Sequence, residues 1–189
     1  MVNSVLFTPS NVAEYEQMNY GLDLVYSSAL SLLACARAQG TISILDSATM
    51  RPVSVLDPST LGGAYSNRLP ILSQTSFQQG TELLISSDLR GTICLWDLRS
   101  ASCVSTWNAN APVHSFDINS AQHILAAGTE LVEDDAKIHF WDIRNGDDTV
   151  VASFDECHSE DITQVSLTYL HRKKKTSFSV VAETPIVWL

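Results

Sequence analysis

What this sequence lacks narrows it first. Its 189 residues contain four cysteines, Cys35, Cys94, Cys103 and Cys157, and none form a C-x-x-C pair. That removes zinc ribbons, thioredoxin-like motifs and the disulfide frameworks of small secreted domains. Cys35 and Cys94 fall inside alternating apolar runs, where a reduced cysteine acts as a small core residue. No apolar run reaches the ~18 residues of a membrane span; the nearest, Leu24 to Ala36, is broken by serines. The N-terminus has no basic stretch leading into an apolar core, so a secretory leader is not expected. Also missing are G-x-S-x-G, a Gly-rich phosphate loop and H-E-x-x-H, and the five histidines show no paired spacing. These absences predict no cofactor, no metal and no catalysis.

Positive charge is scarce too. Eleven basic residues face twenty-one acidic ones, a net charge of −10. Four of the eleven form the run Arg172-Lys173-Lys174-Lys175, which leaves seven basic against twenty acidic groups in residues 1–171. A sequence-independent nucleic-acid binder needs a basic footprint, and the chain does not have one. The basic run reads as a nuclear-import signal or a solvated loop.

What is present is a repeat. L-L-I-S-S-D-L-R-G-T-I-C-L-W-D occupies 83–97, and I-L-A-A-G-T, a longer loop and A-K-I-H-F-W-D end at Asp142. Each copy is an apolar run, a polar break, a second alternating run and Trp-Asp, the pattern of a β-hairpin. Fifty-one positions upstream of Asp97, Leu32–Ala36, Gly40-Thr41-Ile42 and Leu45-Asp46 form a third copy without gaps. Periods of ~40–45 residues ending in Trp-Asp are the mark of four-stranded propeller blades. Residues 20–170 thus resemble WD40 repeats. The combination A-A-G-T-E, then D-D-A-x-I-x-F-W-D-I-R, then H-S-E-D-I-T-Q-V is similar to the WD repeat-containing protein 89 family over roughly residues 80–168.

The expected fold is therefore all-β, a partial WD40-type β-propeller of about three and a half four-stranded antiparallel blades. Residues 1–20 would be an N-terminal arm with one strand-like piece, Val5–Thr8. Residues 21–168 would hold blades one to three and the start of blade four, and 169–189 a divergent tail. Expected strands are Leu22–Tyr26, Leu32–Ala36, Thr41–Leu45 and Pro52–Leu56 in blade one. Blade two would use Ile71–Phe77, Leu83–Ser87, Thr92–Trp96 and Cys103–Trp107. Blade three runs from Val113 to Phe154, with Ile124–Thr129 and Lys137–Trp141 inside it. Blade four would begin at Cys157-His158. In the tail, Phe178–Ala182 and Ile186–Leu189 have hairpin character, but their spacing does not match the Asp88-to-Trp96 register and Pro185 lacks a ladder donor. Three and a half blades cannot close a ring, so the chain reads as part of a longer propeller, or as one that self-associates through open blade edges or borrows blades from a partner.

The resemblance also implies site residues. In WD40 blades a strand-two Ser or Thr, a turn Asp, a strand-three Trp and a preceding His form a buried polar set. Ser86 or Ser87, Asp88, Trp96 and Asp97 match it in blade two, Trp141 and Asp142 in blade three, and His158 before blade four. Blade one has Arg37 and Leu45 where the Asp and Trp would stand.

The turn after Thr129 carries four extra residues and a run of acids, and reads as a contact loop or a solvated one. If blades three and four lie side by side, that loop meets the connection 155–161. This would gather Glu130, Glu133, Asp134, Asp135, Asp155, Glu156, Glu160 and Asp161 against a partner with a basic surface. The predicted function is a non-catalytic protein–protein interaction scaffold in cytoplasm or nucleus. The alternative is a propeller-based enzyme or metal-binding protein using Cys157, His158 and Asp161.

Overall fold

A computed structural model describes residues 21–61, 73–77, 82–119, 123–132, 135–144, 148–158, 161–170, 175–182 and 187–188. The arm 1–20 with Val5–Thr8, and the basic residues 172–174, lie outside the described residues.

Fifteen strands are described, in four antiparallel sheets. Sheet one is β1 (Gly21–Ser27), β2 (Leu32–Arg37), β3 (Ile42–Asp46) and β4 (Pro52–Leu56), in sequence order and followed by a 3-10 turn at Pro58–Leu61. Sheet two is β5 (Ser73–Phe77), β6 (Leu83–Ser87), β7 (Thr92–Asp97) and β8 (Ser102–Asn108). Sheet three is β9 (Val113–Asn119), β10 (Ile124–Thr129), β11 (Ala136–Asp142) and β12 (Val150–His158). The fourth sheet has three strands, β13 (Ile162–Leu170), β14 (Lys175–Ala182) and β15 (Val187–Trp188). First strands lie against first strands, β1 on β5, β5 on β9 and β9 on β13. The sheets therefore fan out around a common axis with β4, β8 and β12 outermost.

Register shows that the repeat is structural. Leu33 faces Leu45, Leu84 faces Trp96, and Leu125 faces Trp141 at the same place in three successive sheets. Alternation along each strand sends one set of side chains to each neighbouring sheet. Ala34, Ala36, Ile42, Ile44 and Leu56 of sheet one meet Leu84, Cys94 and Trp96. Ile85, Ile93 and Trp107 of sheet two meet Phe116, Leu125, Ala127 and Trp141. Ala126, Ala136 and Ile138 meet Ile162 and Val165. The core is three apolar layers, one between each pair of sheets.

Two elements differ from the sequence reading for a physical reason. β12 continues to His158, which pairs with Ala136, so the Cys157-His158 pair closes sheet three instead of opening sheet four. The extra residues after Thr129 let β11 start at Ala136, and β12 follows its partner to that end. In the C-terminal stretch, β14 pairs with β13 from Leu170↔Lys175 to Ile162↔Ala182, and Ser179 and Val180 pair with Trp188 and Val187. That hairpin needs no Trp-Asp register because its pairing follows from the short separation of Leu170 and Lys175 along the chain and not from the repeat.

Candidate functional site

The Trp-Asp dipeptides have two separate jobs. The aspartate caps the turn after the third strand: Asp46 Oδ1 accepts from the Ala48 N–H at 3.1 Å, Asp97 from Arg99 at 2.9 Å and Asp142 from Arg144 at 3.0 Å. Such Asx turns keep Asp at this place even in sheet one, where the Trp is Leu45. Asp142 also pairs with the Arg144 guanidinium, and the side-chain bonds from Arg144, then its backbone N–H, hold the carboxyl down to about 2.

The tryptophan fills the interlayer space and brings an N–H with it. Trp96 Nε1 donates to Ser86 Oγ at 2.9 Å, both groups being buried. Ser87 points the other way, its Oγ donating to Val113 O of the next sheet at 3.1 Å. Asp88 Oδ1 accepts from Arg90 N and Thr92 N, both at 2.9 Å, and so pins the β6–β7 turn without touching Trp96. Where Asp88 stands, Arg37 keeps the matching backbone bonds, its N–H donating to Thr41 O and its carbonyl accepting from Gly40, both at 2.9 Å. In sheet three, Ala127 stands where Ser86 does, and Trp141 Nε1 is buried with no hydrogen-bond partner among the described residues. The His158 side chain lies outside the described set.

The insertion after Thr129 forms a small hairpin of its own. Val132 and Asp135 exchange two backbone hydrogen bonds at 3.1 Å, and Lys137 N donates to Thr129 Oγ1 at 2.9 Å. Leu131 N donates to Asp161 Oδ1 at 2.8 Å, tying this tip to the connection before β13. Around it, His114 Nε2 lies 3.4 Å from Glu130, and Lys137 Nζ lies 3.2 Å from Asp135 and 3.8 Å from Asp155. The contact with Asp135, then the charge of Asp155, raise the Lys137 ammonium above its ordinary range. Glu133, Asp134 and Glu160 lie outside the described residues, as does the Glu156 side chain. Asp161 is thus a clamp between two sheets, a role that charge counting did not anticipate.

The side chains of Cys157 and His158, the last two residues of β12, lie outside the described residues, while the Asp161 carboxylate accepts a backbone N–H. Sequence reasoning also missed Gly128: a Cβ there would sit 2.4 Å from Ile162 Cγ2, so β13 packs on β10 only over a bare backbone. Its one visible signal was a glycine inside a strand.

Antiparallel sheets in a radial row, three of them four-stranded, with Trp96 and Trp141 buried at the same third-strand position of two neighbours, define a WD40-type β-propeller built from part of a ring. Residues 7–172 match the profile of the β-propeller family described as Nucleolar protein 10-like, N-terminal domain, and the chain belongs to that family. It is 26% identical over 178 residues to a WD repeat-containing protein 89 homolog of Dictyostelium discoideum, covering 94% of this chain and 44% of that one. The RRP9 WD40 repeats superpose with a TM-score of 0.66 at 16% identity, over 88% of this chain and 46% of theirs. A chain of the Mitotic Checkpoint Complex gives 0.68 at 15% identity, over 89% and 47%. The chain thus spans less than half the length of this curated relative.

Proposed function

We propose that this protein is a non-catalytic interaction scaffold whose acidic edge, between blades three and four, receives a basic segment of another protein. The observation that supports this reading is the hydrogen bond from Leu131 N to Asp161 Oδ1, which ties the residue after Glu130 to the one that precedes β13. Loops held on a stiff frame are the usual carriers of recognition. Net charge supports a basic partner, and clustered carboxylates raise its encounter rate through long-range attraction. Domain relatives described as nucleolar favour the nucleus over the cytoplasm for this chain. The test is charge reversal, Glu130→Lys with Asp134→Lys, followed by co-purification from cells. Loss of basic partners with the fold intact supports the reading; unchanged recovery removes it.

A second reading concerns self-association. Leu24 (60% exposed), Tyr26 (55%), Val53 (60%) and Val55 (53%) lie on the outward face of blade one, where no described sheet covers them. Contiguous apolar surface of this kind marks a contact site. Its occupant would be another blade, from a second copy or from further propeller sequence.

A further inference from the structure

Two of the cysteines come together in blade two. Cys94 lies on β7 and Cys103 on β8, the outermost strand of that sheet. Cys94 pairs with Thr106 and Leu95 with Ser105, but Trp96 pairs with Cys103, so Val104 is the extra residue of a β-bulge. A bulge sharpens the local twist of the strand that carries it. Both cysteines pack in the apolar layer between blades one and two, beside Trp96. There the Cys94 thiol donates to the Cys103 sulfur, and Cys103 Sγ lies 3.2 Å from Ser105 O. Both are free thiols.

The two sulfurs differ in access and in acidity. Cys94 is 5% exposed. Cys103 is half-buried, on an outer strand where its neighbours Ser102 and Val104 are exposed. The bond from Cys94 brings the Cys103 thiol below its ordinary range despite burial, helped by backbone bonds with Ser105 and Leu95. The same bond, then burial, pushes the Cys94 thiol well above that range. A reachable, more acidic thiol beside a buried one suits a division of labour, in which the first meets an oxidant and the second resolves the product. Cys35 has no such place. It alternates with Ala34 and Ala36 and so sits on the other face of blade one, where burial pushes its thiol up.

We propose that Cys94 and Cys103 are a peroxide-responsive dithiol, in which Cys103 is oxidised first and Cys94 closes a reversible disulfide across the β7–β8 bulge. The proposal stands apart from the acidic edge and needs no partner protein. The Cys103 thiolate attacks one oxygen of a hydroperoxide, here hydrogen peroxide. The O–O bond breaks, hydroxide leaves and takes up the thiol proton as water, and Cys103 becomes a sulfenic acid. The Cys94 sulfur then attacks the Cys103 sulfur. The S–O bond breaks, the departing hydroxide takes the Cys94 proton, and a second water is released. The two thiols together give up two electrons and two protons, which reduce one peroxide to two waters. Thiol exchange with a reductant reopens the bond, as a transient disulfide in a reducing compartment requires. In its closed form the bond ties the outer strand of blade two to β7, the strand that carries Trp96.

The experiment uses the full chain carrying Cys35→Ser and Cys157→Ser, so that Cys94 and Cys103 are the remaining thiols. It is exposed to hydrogen peroxide, blocked with N-ethylmaleimide and cut with trypsin, which parts 91–99 from 100–137 at Arg99. Mass spectrometry is expected to find these two peptides joined, and dithiothreitol to separate them. With Cys94→Ser added, oxidation stops at a sulfenic acid on Cys103 that dimedone captures. With Cys103→Ser added, Cys94 stays unmodified. Without peroxide, iodoacetamide alkylates Cys103 about tenfold or more faster than Cys94. Circular dichroism checks that each variant is folded, and alanine replaces serine where the apolar layer does not tolerate the hydroxyl. Linkage in the native chain no faster than in the urea-unfolded chain overturns the proposal. Dimedone capture on Cys94 in preference to Cys103 does so too, as does a disulfide between heavy and light copies in a mixed-isotope sample.

Discussion

Ser86 and Ala127 occupy equivalent places, and the difference between them is one hydroxyl. Ser86 satisfies the Trp96 N–H; Ala127 leaves that of Trp141 without a partner among the described residues. A buried donor left unmatched costs about 1–3 kcal/mol. Ser86→Ala is expected to destabilise the protein by about that amount, and Ala127→Ser to stabilise it by about 1 kcal/mol, both read from urea midpoints. Asp142 gives a prediction in pH. Its folded-state carboxyl is depressed, so its contribution is fully present above the ordinary carboxylate range and is lost as pH falls toward about 2. The stability difference between wild type and Asp142→Asn should therefore shrink across that window, and Arg144→Gln should return the Asp142 titration toward 3.8.

At the level of elements, two glycines test how the blades are joined. Gly91 turns β6 into β7 at φ +79, and a Cβ there would lie 2.1 Å from Ala111 O. Gly91→Ala combines a disfavoured backbone with a main-chain clash, and should cost more than about 1 kcal/mol. Gly128→Val should instead lift β13 from β10, exposing blade four to limited proteolysis while blades two and three keep their protection. The strands of blades one and two were legible because their alternation and turns are local: β4 and β6 have the boundaries expected from sequence, β2 and β7 run one residue further, and β3 is shifted by one residue at both ends. β12 was misjudged because its length is set by β11, across the sheet. The Asp161 clamp was invisible for a related reason: the Leu131 N–H reaches it only through the packing of two blades.

For the whole molecule, the proposed contact through the outward face of blade one makes a prediction about behaviour in solution. Sedimentation of the purified chain is expected to show concentration-dependent association, reduced by Leu24→Glu with Val55→Glu. A monodisperse monomer across the same concentrations removes the self-association reading. The resemblance in sequence predicted the architecture because a repeat declares itself several times over. Partner choice was far less legible, since it depends on loops that each occur once.

The three apolar layers carry one more consequence. Among the described residues the main packing joins each sheet to the sheets beside it, so cooperativity runs along a line and does not radiate from a single centre. Blades two and three, flanked on both sides, should surrender their amide protons last under native conditions, whereas blade one and the fourth sheet open earlier. A binding event at the third blade would then be felt as slower exchange in its immediate neighbours and fade with each step outward, which makes this chain a short molecular ruler for how far local tightening travels.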